Sequence, residues 1–240
     1  MIYIRSFIFN VLYIATYLII LIPGSITLLL ERKYSYHVVI FLEKTVMFLM
    51  KYVAGIKYEV KGLENHPNTP CIIASKHQSA WDTNLFVLLF DCISVVKKEL
   101  TKIPFYGWYL RKWGTVAVDR KRGTKALGDM IKQAQHFIAL GHDIMIFPEG
   151  SRTTPGERVE YKRGIAMMYA KLNVPVVPVA LNSGCFWPRR GFLKYPGTIT
   201  VQFLKPIPPG LSKDEFMIRL VESIENTSLK LYEEAKCVRK

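Results

Sequence analysis

An α/β fold with a mixed, largely parallel sheet flanked by helices is what the sequence predicts, on three observations. From Ile56 onward, short apolar runs alternate with amphipathic stretches, the rhythm of strands and helices taken in turn. One run, residues 174–181, is continuous and β-branched, as expected of a central strand covered on both faces, despite Pro175 and Pro178. The first 54 residues have a different texture, long and greasy. They read as an N-terminal two-helix membrane-attachment unit ahead of an α/β domain at 55–240.

The N-terminal elements follow from charge spacing. Residues 7–30 carry no charge. As one helix they would extend about 36 Å, enough for a bilayer core of about 30 Å. Pro23-Gly24 interrupts the run, so both a kinked span and a shallow re-entrant element fit. The run is too long for the apolar core of a cleaved signal peptide. Residues 38–54 are apolar except at Glu43, Lys44, Thr45 and Lys51, which fall in one narrow stripe on a helical wheel. The stripe predicts a helix at an interface or packed on apolar surface, with these four side chains on its polar edge.

Beyond Gly55 apolar runs predict strands at 71–74, 93–96, 114–118, 143–147 and 174–181, and alternation predicts strands at 56–60, as an outer strand, and at 199–204. Helical periodicity is clearest at 124–140, ended by Gly141, and at 213–235. No internal repeat or low-complexity linker interrupts the pattern.

Composition narrows the partners. The 240 residues are 50% apolar and carry 33 Lys and Arg against 19 Asp and Glu, a net charge of +14. A chain both basic and apolar points first to an anionic membrane surface. No nucleic-acid-binding signature accompanies the charge. Cys71, Cys92, Cys185 and Cys237 are scattered with no zinc spacing, which implies a reducing, cytoplasmic setting and no structural metal. The stretch Phe186-Trp187-Pro188-Arg189-Arg190 mixes aromatic and basic residues and reads equally as an interfacial contact or an exposed loop.

Four blocks stand where apolar runs end. The first is His77-Gln78-Ser79-Ala80-Trp81-Asp82. A His is a ready general base, and a nearby carboxylate fixes its tautomer and stabilises its protonated form. The same block also fits a helix start, with Ser79 as N-cap and Asp82 in the first turn. The second block carries Lys97, Lys98 and, further on, Gly114 and Arg120. The third is Phe147-Pro148-Glu149-Gly150-Ser151-Arg152, a buried strand running into charge. Gly150 permits close backbone approach there, and Arg152, like Arg120, is suited to phosphate. The fourth is Val174-Pro175-Val176-Val177-Pro178.

Together the four blocks, in this order, resemble the glycerolipid acyltransferase family, in particular the bacterial 1-acyl-glycerol-3-phosphate acyltransferases. The resemblance covers about residues 60–205. It implies that His77 deprotonates the sn-2 hydroxyl of lysophosphatidic acid for attack on the thioester of acyl-CoA or acyl-carrier-protein, with Asp82 orienting His77. It implies no covalent acyl-enzyme and no tightly bound cofactor. Arg120 and Arg152 would hold the acceptor's phosphate, with Glu149, Gly150 and Ser151 beside them and Lys98 adding charge. The amides after His77 are expected to steady the oxyanion. The implied setting is the cytoplasmic face of a bacterial-type inner membrane. Glycerol-3-phosphate or another lysolipid as acceptor, and a non-catalytic basic membrane-binding protein, are the competing readings. Ser151 stands where Thr is usual, and Lys76 stands where many members have Asn.

Overall fold

Every predicted strand run forms a strand. The computed structural model describes residues 1–238, with side chains described through Ala235, so the side chain of Cys237 lies outside the described residues. The strands are β1 (Ile56–Lys61), β2 (Ile72–Ser75), β3 (Ile93–Lys97), β4 (Val116–Val118), β5 (Ile144–Ile146), β6 (Val176–Leu181) and β7 (Gly197–Phe203). They make one sheet in the order β1-β7-β6-β2-β5-β3-β4. All neighbours are parallel except β6 and β7. This is the mixed, largely parallel sheet expected, with β1 on its edge.

Side chains alternate across the sheet, and each face feeds its own core. Ile73 and Met145 join Val177, Val179 and Leu181 on one face. Ile72, Ala74, Ile144, Ile146 and Val176 enter the cluster on the other. The first face is covered by α1 (Ile2–Gly24), α2 (Arg32–Leu49) and α3 (Trp81–Leu89), with α4 (Tyr106–Trp113) packed beside α2. The second is covered by α5 (Gly123–Ala139), α6 (Gly164–Leu172) and α7 (Lys213–Val238). Helices on both faces of a parallel sheet are what βα connections require.

Pro23-Gly24 does not break the first apolar run. α1 carries Pro23 in its last turn and continues as a 3-10 turn, Ser25–Leu29. Together Ile2–Leu29 is long and apolar enough to cross a membrane. Yet α1 is tied to the rest of the molecule near both ends. Arg5 Nε donates to the Val53 carbonyl at 2.8 Å, Asn10 Nδ2 donates to the Phe192 carbonyl at 2.9 Å, and Leu21 packs with Leu42 and Tyr109. α2 ends through a π-helical turn, Met50–Ala54, at Gly55. Gly55 has φ +74°, a backbone conformation that favours glycine, and a Cβ there would push against Arg5 Nη2 at 2.7 Å.

Two expectations are corrected here. Glu43 is not on the polar edge of α2. It is buried, its Oε2 finds no hydrogen-bond partner, and burial pushes its carboxyl up to about 8. α2 is covered by α1 on one side and α3 on another, so the wheel position of Glu43 faces neighbours rather than water. Phe186 and Trp187 form neither an exposed loop nor an interfacial contact. Both are buried, and Trp187 stacks edge-on to Phe9 and Tyr13 of α1 at 5.1 and 5.2 Å. Only the basic end of that stretch, Arg189-Arg190, is exposed.

Phe9 is fully buried in the same cluster as the strand residues. Phe9→Ala is expected to destabilise the protein by about 3–5 kcal/mol, from lost transfer energy and the cavity it leaves. At this chain length the melting temperature should drop by roughly 10 °C, read by circular dichroism in detergent. A drop of a degree or less would show that α1 is not part of the folded core.

Candidate active site

Because β2 to β6 run parallel, their carboxyl ends share one edge of the sheet, the edge where open α/β sheets bind ligands. β2 delivers His77 there, β4 delivers Arg120, β5 delivers Glu149 to Arg152, and β6 delivers Ser183.

His77 Nδ1 lies 2.9 Å from Asp82 Oδ2. The same oxygen accepts the backbone N–H groups of Gln78 at 2.7 Å and Ser79 at 2.8 Å. Oδ1 accepts the Ser183 hydroxyl at 2.5 Å. The helix-start reading and the His-orienting reading therefore describe one arrangement, with the start one residue later than expected: the residue preceding α3 is Ala80, not Ser79. Ser79 Oγ accepts the Trp81 N–H at 3.2 Å, Asp82 reaches back to the Ser79 N–H, and Ala80 already has helical dihedrals. Asp82 is fully buried, whereas His77 keeps a side-chain exposure of 16%. With Nδ1 held, Nε2 is the nitrogen left for a substrate proton. The imidazole face is covered by Phe147, whose ring is stacked at 3.8 Å.

The amides after His77 are not available to an oxyanion, contrary to expectation. Gln78 and Ser79 spend their N–H groups on Asp82. The His77 backbone is itself pinned from the third block: its N–H donates to Glu149 Oε1 at 3.1 Å, and its carbonyl accepts both the N–H and the hydroxyl of Thr153.

Beside this pair lies a cleft of about 490 Å³. Arg120, Arg152, Lys162 and Arg189 line it, with Glu149, Gly150, Ser151 and Thr153. Its four cations outnumber its three carboxylates, Glu149, Glu157 and Glu160, and suit a phosphate-bearing ligand. Arg120 Nη2 donates to the Gly150 carbonyl at 2.7 Å, tying the second block to the third. Gly150 sits at φ +72°, and a Cβ would come within 3.3 Å of Arg120 Nη2, so glycine fits the turn. Arg189 caps the Arg152 carbonyl at 2.6 Å. His77 is not in the lining, but Glu149 and Thr153 are, and both hold its backbone.

Lys98 is not brought into the cleft. Its Nζ lies 3.2 Å from Asp119 Oδ2 in an exposed pair, and it holds that carboxyl below the usual range. Ser183 and Thr153 were missed by sequence reasoning; nothing local marks either as a contact of the His77 block. Away from the site, at the amino ends of β2 and β5, His66, Cys71 and Asp143 place ligand-type atoms within 4.8 Å of one another. There Asp143 Oδ1 accepts the Cys71 N–H and Oδ2 meets His66 Nε2, so both oxygens are already partnered.

A paired His and Asp at the carboxyl edge of a parallel sheet, next to a cationic cleft, form an arrangement that can take up a proton beside a bound anionic group. Residues 57–182, more than half of the chain, match the family model described as Acyltransferase, and the chain belongs to that family. It is similar to the 1-acyl-sn-glycerol-3-phosphate acyltransferase of Pseudomonas aeruginosa, at 43% identity over 65% of this chain and 61% of that protein's length. The mouse 1-acyl-sn-glycerol-3-phosphate acyltransferase alpha is 30% identical over 77% of this chain and 66% of its own. Among solved structures, the LPA acyltransferase PlsC of Thermotoga maritima superposes with a TM-score of 0.79 at 25% identity, covering 96% of this chain and 98% of that one.

Proposed function

We propose that this acyltransferase moves an acyl group from the thioester of acyl-CoA or acyl-carrier-protein to the sn-2 hydroxyl of 1-acyl-glycerol-3-phosphate, giving phosphatidic acid. The observation that carries the reading is the His77–Asp82 pair at 2.9 Å beside the Arg120 and Arg152 cleft. The names of its relatives point to the same acceptor.

His77 Nε2 takes the hydroxyl proton as the oxygen attacks the thioester carbonyl. Asp82 stabilises the imidazolium through Nδ1–H. Collapse of the tetrahedral intermediate breaks the C–S bond, and the imidazolium proton passes to the leaving thiolate. The donor is a co-substrate, and these steps need no resident cofactor. Arg120 and Arg152 hold the acceptor phosphate, with Gly150 and Ser151 shaping the turn between them.

Residues 1–54 act as the membrane-attachment unit and 55–240 as the acyltransferase domain. α1 exposes Tyr3, Ile4, Phe7, Ile14, Leu18 and Ile19 while its opposite flank is tied to the domain near both ends. A helix held this way lies along the domain and dips into one leaflet with that flank. The net charge of +14 favours an anionic surface, as on the cytoplasmic face of an inner membrane.

The test is the purified protein with an acyl thioester and a panel of acceptors: lysophosphatidic acid, glycerol-3-phosphate and a phosphate-free lysolipid. Lysophosphatidic acid should be strongly preferred. Arg120→Ala and Arg152→Ala should each raise its KM by about 10–100-fold, the cost of one charge-assisted contact. Preference for glycerol-3-phosphate would replace the acceptor assignment. No transfer to any acceptor would leave a membrane-binding protein as the reading.

A further inference from the structure

Lys76 precedes His77, and it is the most buried cation among the described residues. Its side chain is 1% exposed although Lys is almost never placed inside a protein unpaired. The ammonium is enclosed by oxygen. Nζ lies 2.6 Å from Glu225 Oε1 of α7, 3.7 Å from Glu149 Oε1, and 3.4 Å from the Glu157 carbonyl. Glu225 Oε1 also accepts the Tyr161 hydroxyl at 2.7 Å.

Glu149 is the junction between this buried set and the His77 loop. Its Oε1 faces Lys76 and accepts the His77 N–H, while its Oε2 is buried with no hydrogen-bond partner. One cation thus stands between two carboxylates, and only one of those carboxylates touches the loop that carries His77. The element supplying the second, α7, is far away in sequence and contacts β6 and α6.

We propose that Lys76 is a positioning residue for the reaction: held by Glu225 of α7, its ammonium keeps the Glu149 carboxylate seated on the His77 backbone N–H, so the C-terminal helix sets the posture of the His77 loop. The inference rests on the acyl-transfer reading for its kinetic arm alone. An ionised carboxylate accepts an N–H roughly twice as strongly as a neutral group does, so losing the cation weakens the seat. Burial pushes the Glu149 carboxyl up and the Lys76 ammonium pulls it down, which together leave it at about 7. The other charged groups around it are Glu225 of α7 and, along the cleft, Arg120, Arg152, Glu157, Glu160, Lys162 and Arg189, with the neutral Tyr161 hydroxyl of the loop before α6 bonded to Glu225. Removing Lys76 leaves burial opposed only by backbone hydrogen bonds and moves Glu149 titration to higher pH.

The experiment compares the full-length parent with Lys76→Met, Lys76→Arg and the double variant Lys76→Met/Glu225→Leu. The double variant removes both buried charges together and preserves folding where the single change leaves Glu225 unpaired. Glu149 is followed by carboxyl 13C resonance, assigned by its loss in Glu149→Gln. Its midpoint should rise by about 1–3 pH units in Lys76→Met, and by less in the double variant, where the loss of the Glu225 charge offsets part of the rise. It should stay at the parent value in Lys76→Arg. The acid limb of kcat/KM for lysophosphatidic acid should shift in the same direction, with KM little changed. A folded double variant with the parent's carboxyl midpoint and pH profile overturns the proposal. Absence of acyl transfer in the parent sinks the proposed function instead, and the 13C titration still decides the coupling.

Discussion

Replacing His77 with Ala is expected to lower kcat/KM for acyl transfer by about 10²–10⁴-fold, the usual contribution of a positioned general base. The protein should stay folded. Asp82 keeps three donors without the imidazole, from Gln78, Ser79 and Ser183, so its buried charge remains satisfied. His77 is also partly exposed, and losing its ring empties space at the cleft edge rather than in the core. Transfer of a labelled acyl group, followed beside the melting curve, separates the two effects. A His77→Ala protein that transfers at the parent rate removes His77 from the reaction.

The second large effect belongs to Asp82, where chemistry and folding can be separated by the choice of substitution. Asp82→Asn keeps an acceptor for the Gln78 and Ser79 amides and turns its amide nitrogen toward the Ser183 hydroxyl, which can accept. Stability should change by about 1–2 kcal/mol. Activity should still fall by about 10²–10⁴-fold, because a neutral amide neither fixes the Nδ1–H tautomer as firmly nor stabilises the imidazolium. Asp82→Ala strands two buried N–H groups and the start of α3, at about 1–3 kcal/mol for each unsatisfied donor. Its melting temperature should therefore fall by roughly 10 °C, well below that of Asp82→Asn. Equal activity in parent and Asp82→Asn, measured at the same folded fraction, would reduce Asp82 to a helix cap.

The fold was largely legible because its signals are local. The strands are three to seven residues long; most are short apolar runs bounded by turn residues, while β1 and β7 alternate apolar with polar residues, and the seven expected segments became the seven strands with ends shifted by a few positions. The site blocks were legible because chemistry gathers at the carboxyl edge of a parallel sheet, so residues just after apolar runs were the ones to read. What escaped depends on contacts far apart in sequence. Glu43 looks like part of a polar stripe until α1 and α3 cover it. Trp187 and Phe9 are 178 positions apart, yet each buries the other. Lys98 lost its place in the cleft to Asp119, a partner from the next strand's end. Ser183 reaches Asp82 across 101 positions and carries no mark in its own neighbourhood.

The ties that hold α1 against the domain have a consequence for how the enzyme would meet its substrate. A catalytic domain on a flexible leash samples a volume of solution, and only a fraction of its orientations face the lipid. Here the mount is stiff. Arg5, Asn10, Phe9 and Leu21 fix α1 to the same body that carries His77, so docking that helix also fixes the height and tilt of the cleft. On the proposed reading of a leaflet-bound helix and a lipid acceptor, that acceptor would arrive by lateral diffusion at a mouth of constant elevation, and the search would become two-dimensional. Loosening the Trp187–Phe9 contact would turn the mount into a leash and slow that search, even with every residue of the reaction centre intact.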